Sequence, residues 1–510
     1  MPKNCILAYD LGTGGLKAAL YSDQGIQIDA LFEEYQVRSY RETWAEQDPG
    51  AWWSGFCKTT RALIEKHGIH GRDIAVVSFS GQMMACLPVD RSGSALRDCI
   101  IWADRRSTAQ TMRMHERIDE PNYYRITGNK IYPTYALPKL MWLKDNEPEV
   151  YKRTYKFLQP KDYLVCRLTG TFVTDYSDAS GTAALDMPNR NWSEEVLELA
   201  GVDEDKLPEI LRSTDSPGTV NRPAARESGL IEGTPVVIGA GDGPCGNLGA
   251  GVYREGNAYI YLGTSSWVSA ASRDMVVDPG MVLFNICSVD PNLIYVYGTM
   301  QMGGGSFQWL KNTVCAVERT MAELSGQSAY DYMSRQAETS PAGAGNLIFL
   351  PYLRGERSPR WNPTARGAFV GLTASHSRSD MIRAVMEGVG YNLKIIRDAL
   401  RSQGTRIEEM RIIGGGAESQ LWRQIFADIF RESLRAPELR EGATTLGAAV
   451  VGGVGVGLFE NFSIIEKLNP TQFIEEPSAD EQVLNRYDNL FQLFNTVYEV
   501  LCPVFDKMQS

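Results

Sequence analysis

One carboxylate in the sequence is flanked by glycine on both sides. Asp242 lies within residues 241–246, which read GDGPCG and match the GxGxxG spacing of a dinucleotide-binding loop. Such a loop also needs an acidic residue about 20 positions later for the ribose, but residues 259–273 contain neither Asp nor Glu, and Pro244 interrupts the motif. The pattern therefore favours either a turn-stabilising Asp or an accessible base that takes a proton from a substrate hydroxyl during phosphoryl transfer.

Three glycine-rich turns could hold the phosphate, although the chain has no GK pair and hence no Walker A loop. Glycine lets the backbone approach phosphate oxygens, and Thr or Ser adds a hydroxyl donor. Each turn alone is more typical of a plain hairpin, but together they favour phosphate binding. The turns are DLGTGG at 10–15, LGTSS at 262–266 and GGGA at 414–417.

Asp10 and Lys17 accompany the first of these turns. Asp10 could hold Mg²⁺ through water, because Mg²⁺ keeps several of its waters, or it could simply cap the turn. Lys17 lies on the following strand, where it could reach a phosphate as a point charge or project into solvent.

Composition argues against several other classes of function. The 510 residues suffice for two or three domains, and the net charge of −11 without a Lys/Arg cluster argues against nucleic acid or an anionic membrane as a partner. The nine cysteines form no CxxC pair, the four histidines form no metal-ligand pattern, and no GxSxG occurs. The N-terminus lacks the layout of a signal peptide, and no apolar stretch is long enough to span a membrane. We therefore expect a cytoplasmic protein with reduced thiols.

The elements that must position these residues occur twice. DLGTGGLKAA at 10–19 aligns with YLGTSSWVSA at 261–270, and both read as strand–LGT–strand hairpins. The repeat predicts two related domains, each beginning with such a hairpin, with a boundary within 246–257. Tyr261 takes the place of Asp10, so only the first copy offers a carboxylate for a metal.

Other elements are predicted from periodicity and turn residues. Residues 410–430 predict a strand, a glycine loop and a helix that begins after Ser419 as its N-cap. The remaining predictions are strands at 73–82 and 234–243, a helix at 379–396 and a closely packed small-residue helix at 447–459.

Several ordered blocks together resemble the FGGY carbohydrate kinases, a family within the actin/sugar-kinase/Hsp70 ATPase superfamily. The two LGT turns resemble its phosphate loops, and GGGAESQLWRQIFADI resembles its adenosine segment. WAEQDPGAWW at 44–53 is a further family block, and 367–387 fits the C-terminal signature. The sequences at 157–182 and 349–359 are most similar to the xylulokinase branch of the family.

The resemblance implies an α/β fold of two duplicated RNase H-like domains with an interdomain cleft for ATP and sugar. It implies a first domain at 1–247, which binds the sugar and carries the catalytic Asp, and a second at 248–510, which binds the nucleotide. It is also compatible with a homodimer.

The resemblance assigns roles to individual residues as well. It implies Asp242 as the general base, Asp10 as the residue that holds Mg²⁺, and ATP as the phosphoryl donor. Residues implied to line the sugar pocket are Gln82, Met83, Met84, Trp102 and Asp104, together with Asp242. Residues implied to contact the nucleotide are Gly12, Thr13, Gly14, Lys17, Gly263, Thr264, Gly304, Gln308, Gly415, Gly416 and Gln420.

Two departures from the xylulokinase pattern fall in the sugar pocket. Met84 stands where His usually contacts the sugar, and Gly243 stands where Asn usually follows the catalytic Asp. Both changes remove hydrogen-bonding groups, on which a polyol site depends for discrimination. The expected reaction is D-xylulose to D-xylulose 5-phosphate, with ribulose, gluconate, glycerol or a signalling sugar as alternative substrates. Outside enzymes, the alternative is a non-catalytic sugar or nucleotide sensor, against which the retained Asp242 argues.

Overall fold

The computed structural model describes residues 4–41 and 43–508, which form two compact units. Neither unit is continuous in sequence. The first contains the described residues up to Arg254 together with Ala271–Tyr295 and Gly442–Asn469. The second contains Glu255–Ala270, Val296–Glu441 and the described residues from Pro470 onward. The sequence did not indicate that 442–469 packs with the first unit, and a domain boundary at 247/248 stays a prediction.

The first unit is built on a mixed sheet. Its central strand, Cys5–Leu11, pairs antiparallel with Gly15–Tyr21 and parallel with Ile74–Gly81. The central strand is an apolar run that is buried almost throughout, as expected for a strand covered on both faces. The strand order is Gly218–Thr219, Pro235–Val236, Ile74–Gly81, Cys5–Leu11, Gly15–Tyr21 and Gln27–Glu34, with Ala240–Gly241 also paired to Ile74–Gly81.

Helices and short strand pairs surround this sheet. The other strands of the unit are Glu46–Gln47, Leu87–Val89, Cys99–Ile100, Lys156–Leu158, Val173–Asp175, Leu185–Asp186, Asn191–Trp192, Glu209–Leu211 and Phe284–Cys287. The α-helices are Pro49–Lys66, Thr108–Arg117, Glu120–Thr127, Ala136–Asn146, Pro148–Arg153, Pro160–Thr169, Tyr176–Gly181, Glu194–Ala200, Arg222–Ser228, Asp242–Gly249, Ala443–Gly455 and Ile465–Leu468. Three-residue 3-10 helices span Gly71–Asp73, Glu204–Lys206 and Phe462–Ile464.

The second unit repeats the order of the first. Its central strand, Gly256–Leu262, pairs antiparallel with Ser266–Ser272 and parallel with Ile407–Ile413. The strand order is Ile294–Met300, Ser266–Ser272, Gly256–Leu262, Ile407–Ile413, Leu434–Pro437 and Thr471–Glu475, and Ile348–Leu350 pairs separately with Ala368–Val370. The helices are Gly304–Thr313, Ala316–Ser325, Ala329–Glu338, Arg378–Ser402, Gln420–Phe430 and Glu481–Lys507, with 3-10 helices at Ala344–Asn346 and Gly415–Glu418.

The two related domains predicted from the hairpins and the α/β fold implied by the resemblance are therefore confirmed. Ser419 is the N-cap of Gln420–Phe430, because its hydroxyl accepts from the Trp422 amide at 3.3 Å. The helix predicted at 379–396 spans Arg378–Ser402 and begins with a capping box. The small-residue helix predicted at 447–459 spans Ala443–Gly455. It ends before 459 because Gly457, just beyond its last residue, has φ = +75°.

This small-residue helix, Ala443–Gly455, packs backbone to backbone against Asp242–Gly249. A Cβ on Gly447 would lie 2.0 Å from the Cys245 carbonyl oxygen, and a Cβ on Gly249 would lie 1.9 Å from the Ala443 carbonyl oxygen. Only glycine permits this approach at either position. The contact fixes the helix that begins with Asp242 against a segment from far along the chain.

None of the helices in the described part of the chain is long and apolar enough to cross a membrane.

Candidate active site

Asp242 lies where a short strand ends and a helix begins. The strand Ala240–Gly241 pairs with Ile74–Gly81, and Asp242 is the first residue of Asp242–Gly249. Its side chain is partly exposed, and Asp242 Oδ1 accepts from the Gly243 amide at 2.7 Å. The carboxyl group is thus presented at one end of the sheet.

The glycines around Asp242 are explained by close packing. Gly239 has φ = +75°, and a Cβ there would lie 1.9 Å from the Phe79 carbonyl oxygen. A Cβ on Gly241 would lie 2.4 Å from Met83 Sδ. Glycine at these positions lets the loop lie against its neighbours. The packing accounts for these glycines without a dinucleotide.

The surroundings of Asp242 favour its protonated form. Desolvation, and after it the nearby Asp10 charge, together raise the pKa of Asp242 to about 7 against the opposing effect of the Gly243 amide. A carboxyl with a pKa near neutral pH can both accept and release a proton, which is what general base catalysis needs.

Asp10 is held in place by two hydroxyl groups. Ser80 donates to Asp10 Oδ1 at 2.8 Å, and Thr444 donates to Asp10 Oδ2 at 2.7 Å. Lys17 lies directly opposite Asp10 across the first hairpin. Burial raises the pKa of Asp10, while the two hydroxyls and the Lys17 charge act in the opposite direction.

Asp10 and its surroundings fit a magnesium ion. A carboxylate is the hard oxygen ligand that Mg²⁺ prefers, and the charges of Asp10 and Asp242 repel each other enough to raise the pKa of Asp242. The residues that the structure describes contain no cluster of three or more potential ligand side chains. The arrangement suits a cation bound by one or two carboxylates, water and substrate phosphates.

The start of Ala443–Gly455 belongs to this site, although the sequence did not predict it. Besides the bond from Thr444 to Asp10, Gly442 approaches the first hairpin closely, because a Cβ there would lie 2.7 Å from Lys17 Nζ. Gly442 has φ = +85°, a backbone conformation that favours glycine. The sequence separation of these contacts explains why no local motif revealed them.

The first turn and the predicted sugar pocket meet at Thr13. Trp102 Nε1 donates to Thr13 Oγ1 at 2.8 Å, and Gln47 Nε2 donates to the Thr13 carbonyl oxygen at 2.6 Å. Gln82 Nε2 in turn donates to Gln47 Oε1 at 2.6 Å. The structure therefore brings Thr13, Trp102 and Gln82 together and adds Gln47, whose position within the 44–53 family block was the available signal.

The backbone of this first turn is partly open. Gly14 is exposed, and a Cβ there would meet nothing within 4 Å among the described atoms. The Gly12 carbonyl oxygen accepts from the Tyr35 hydroxyl at 2.6 Å. Space for a ligand thus remains beside Gly14, while Gly12 is tied to Tyr35, which follows the strand Gln27–Glu34.

The loop after Ile74–Gly81 carries the two methionines of the predicted pocket. Met83 is buried, and a Cβ on Gly181 would lie 2.9 Å from its Cε. Met84 is partly exposed with φ = +62°, and its carbonyl oxygen accepts from Lys139 Nζ at 2.7 Å. Lys139 thus supports a backbone conformation that is uncommon for a residue with a side chain.

Asp104 is placed differently from the other pocket residues. It is fully buried, its Oδ2 accepts from the Ala45 amide at 2.6 Å, and it forms a 2.7 Å ion pair with Arg106. Both of its oxygens also accept from Arg106 Nε. The structure places Asp104 in a buried ion pair, and a direct sugar contact from Asp104 stays a prediction.

In the second unit, three glycine turns meet at one end of the sheet. The Gly304 amide donates to the Gly263 carbonyl oxygen at 2.7 Å, and the Gly305 amide donates to Thr264 at 2.9 Å. Gly414 and Gly416 lie against Leu262, where Cβ atoms would come within 2.7 Å and 2.4 Å of it. Gly304 also begins a ten-residue helix, whose N-terminus favours an anion.

The other predicted nucleotide residues lie beside these turns. Gly415 is exposed, and Gln420 is the exposed first residue of Gln420–Phe430. Gln308 is exposed in the second turn of Gly304–Thr313. The second unit therefore offers backbone groups and amides, in contrast to the carboxylates of the first.

Comparisons with known proteins match almost the whole chain. The family model described as "FGGY family of carbohydrate kinases, N-terminal domain" matches residues 5–249, and its C-terminal counterpart matches residues 258–456. The xylulose kinase of Bacillus subtilis (strain 168) is 32% identical over 97% of this chain and 96% of its own length. The gluconokinase of the same organism is 30% identical over 97% and 96%. The solved structure of ligand-bound xylulose kinase from Lactobacillus acidophilus has a TM-score of 0.91 at 28% identity, covering 99% of this chain and 100% of its own.

Proposed function

The chain belongs to the FGGY family of carbohydrate kinases, and on that premise we propose that it transfers the γ-phosphoryl group of ATP to D-xylulose. Family membership makes it a phosphotransferase with a sugar as acceptor. The identity of the sugar and the roles of the residues are the proposal. The observation that carries it is the presented Asp242 carboxyl, with a pKa of about 7 beside Asp10.

In the proposed reaction, Asp242 removes the proton from a sugar hydroxyl as its oxygen attacks the γ-phosphorus. The new O–P bond forms while the bond between that phosphorus and the β–γ bridging oxygen breaks, and ADP leaves with the electron pair. The proton resides on the Asp242 carboxyl until it passes to solvent. Desolvation of this carboxyl supports the role, because a base works best when its pKa lies near the operating pH.

We assign nucleotide binding to the three turns of the second unit. Backbone amides of Gly263 and Thr264 are the kind of donors that hold phosphate oxygens without a charged side chain. The Gly304 and Gly305 amides donate to the carbonyl oxygens of that turn and so keep Gly304–Thr313 beside it. Gly415, Gly416 and Gln420 would then contact the nucleoside.

We assign phosphate contacts in the first unit to Lys17 and the turn at 10–15. Asp10 would hold Mg²⁺, which when bound neutralises part of the phosphate charge. The hydroxyls of Ser80 and Thr444 keep the Asp10 carboxylate oriented for this purpose.

The residue types in the proposed sugar pocket favour a neutral ketose over an aldonate. Gln82, Met83, Met84 and Trp102 carry no positive charge to pair with the carboxylate of gluconate. Gln82 is buried, and its Oε1 has no hydrogen-bond partner among the described residues. A sugar hydroxyl could satisfy that acceptor. Gluconate remains the second candidate, because a gluconokinase is 30% identical to this chain.

The proposal is tested by ADP release with Mg-ATP against a panel of ketoses, polyols and aldonates. We expect D-xylulose to stimulate release most strongly, and the product to be the 5-phosphate. A larger kcat/KM for gluconate or another panel member would overturn the choice of sugar while leaving the kinase assignment intact. Sugar binding without any stimulated release would instead indicate the sensor. A cytoplasmic location and a homodimer stay predictions.

A further inference from the structure

A cluster of buried charges lies in the first unit. Lys161 Nζ lies 2.6, 2.9 and 3.1 Å from carboxyl oxygens of Asp162, Asp175 and Asp178, and all four side chains are fully shielded from solvent. Burial raises the pKa of Asp178 well above its ordinary value, although Lys161 opposes this. Buried charges are costly unless hydrogen bonds complete their environment, so the remaining partners of this cluster are informative.

One oxygen of the cluster connects it to the loop before Asp242. Asp175 Oδ2 accepts from the Ser177 hydroxyl at 2.6 Å and from the Ser213 hydroxyl at 2.8 Å. Because each serine hydroxyl has a single hydrogen, donation to Asp175 leaves the Ser177 oxygen free to accept. That oxygen accepts from the Gly241 amide at 2.9 Å.

The second serine reaches the same loop through its backbone. The Ser213 carbonyl oxygen accepts from the Gly239 amide at 3.1 Å. Gly239 and Gly241 are therefore both linked, through one serine each, to the same Asp175 oxygen. They flank Ala240, and Gly241 immediately precedes Asp242.

We propose that Asp175 is a positioning residue that acts through Ser177 and Ser213 to set the backbone from which Asp242 projects. The inference rests on the proposed function, in which Asp242 is the base. The ion pair with Lys161 at 2.9 Å anchors the Asp175 carboxyl, and the two serines connect it to Gly239 and Gly241. A small displacement of Asp242 would lengthen its reach to the sugar hydroxyl, and catalysis is sensitive to such displacements.

The most informative substitutions are those of Ser177 and Ser213, and not those of the charged residues in the cluster. Gln159, the N-cap of the Lys161 helix, exchanges two hydrogen bonds with the backbone of Ala85, at 2.8 and 2.9 Å, beside the sugar-pocket methionines. Substitution of Lys161 would disturb that region as well. The Ser177 hydroxyl bonds to Asp175 Oδ2 and to the Gly241 amide, so Ser177→Ala tests the link to the Asp242 loop and leaves the Gln159 contacts with Ala85 in place.

The experiment compares kcat and KM for Ser177→Ala, Ser213→Ala and the matched control Ser180→Ala. Ser180 is equally buried in the same helix, but its hydroxyl bonds to the Ser177 carbonyl oxygen and the Cys287 amide. We expect Ser177→Ala to lower kcat about tenfold with KM for the sugar and ATP within about twofold, because an unpaired buried amide displaces the loop. Ser213→Ala should lower kcat less, since it keeps its carbonyl oxygen, and Ser180→Ala should leave kcat within about twofold.

Two outcomes would overturn the inference. Equal kcat losses in Ser177→Ala and Ser180→Ala would mean that either substitution loosens the helix in general. A rise in KM for the sugar as large as the kcat loss in Ser177→Ala would mean that the substitution disturbs the sugar pocket. If Ser177→Ala does not fold, an unchanged kcat in Ser213→Ala alone rejects the proposal. Asp242→Asn is measured in the same assay, and retention of native kcat there would reject the base itself, whatever the serine variants show.

Discussion

The two hairpins share a topology but differ in which side chains face each other across their strands. In the first, Asp10 faces Lys17, which places a carboxylate and an ammonium group opposite each other across the hairpin. In the second, Tyr261 faces Trp267, and their rings stack with centroids 4.0 Å apart. The duplicated scaffold therefore carries charged chemistry in one copy and packing in the other.

The difference arises partly from the length of the turns. Leu11 pairs with Leu16 across the first turn, whereas Leu262 pairs with Ser266 across the second, which is one residue shorter. A change of one residue in register alters which side chain lies opposite a given position. Comparison of the copies thus teaches that a repeat detected in sequence fixes the topology but not the cross-strand partners.

The two copies should differ most in their response to substitution at the equivalent positions Asp10 and Tyr261. We expect Asp10→Asn to lower kcat by about 10- to 100-fold, because the hard oxygen ligand and the phosphate site depend on its charge. Tyr261→Phe, which keeps the ring stack on Trp267, should leave kcat within about twofold. Steady-state rates with saturating Mg-ATP decide this, and equal losses in the two variants would show that the copies are not specialised.

The carboxylates of the first unit should impose a pH dependence on the reaction. With a pKa of about 7, the Asp242 carboxyl is mostly protonated below pH 7 and mostly ionised above it. Because the base must be ionised to accept a proton, kcat should rise with pH and increase about tenfold from pH 6 to pH 8. A flat kcat over this range, with the protein folded throughout, would contradict the assignment.

Substitutions at Thr13 and Thr264, the threonines of the two LGT turns, test whether the turns differ in their effect on sugar and ATP binding. Thr13→Val removes the acceptor for Trp102 Nε1, so we expect KM for the sugar to rise about fivefold. Thr264→Val removes an exposed hydroxyl from the second turn, so we expect KM for ATP to rise by a similar factor. Equal effects of each variant on both KM values would contradict the separation of roles.

The smallest expected effect concerns the hydroxyl that steadies Asp10. Thr444→Val removes the 2.7 Å bond to Asp10 Oδ2, and we expect kcat to fall about threefold. The control is Thr445→Val, since the neighbouring hydroxyl bonds to Tyr21 and the Gly442 carbonyl oxygen instead. Kinetics and thermal unfolding of both variants test this, and a kcat loss confined to Thr445→Val would contradict the role of Thr444.

The sequence predicted the parts of the site that depend on local patterns. Both hairpins and the N-cap at Ser419 follow from periodicity and turn chemistry, and the structure has them. The strand predicted at 234–243 is instead two short strands, Pro235–Val236 and Ala240–Gly241, because Gly239 between them has φ = +75°. The context of the glycines next to Asp242 argues against a dinucleotide loop, and the packing of Gly239 and Gly241 against Phe79 and Met83 accounts for them. These features concern residues close together in sequence, where backbone preferences decide the outcome.

The remaining parts depend on packing between distant segments. Thr444 lies 434 positions from Asp10, and no local pattern at 442–445 indicates that it returns to the first hairpin. The buried network of Asp175, Ser177 and Ser213 is similarly invisible, because TDYSDASGT reads equally well as a polar surface segment. Asp104 accepts from the Ala45 amide, 59 positions away, a contact that its motif did not indicate, and its predicted role in the sugar pocket stays a prediction.

The central claim is that Asp242 is the base, and the most direct measurement is kcat of Asp242→Asn at pH 8. The assay uses the panel sugar with the largest kcat/KM, with sugar binding measured in parallel. We predict a loss of at least about 100-fold in kcat with sugar binding retained, because the amide cannot accept the hydroxyl proton. A variant that binds the sugar and keeps more than about a tenth of native kcat would contradict this account of the site.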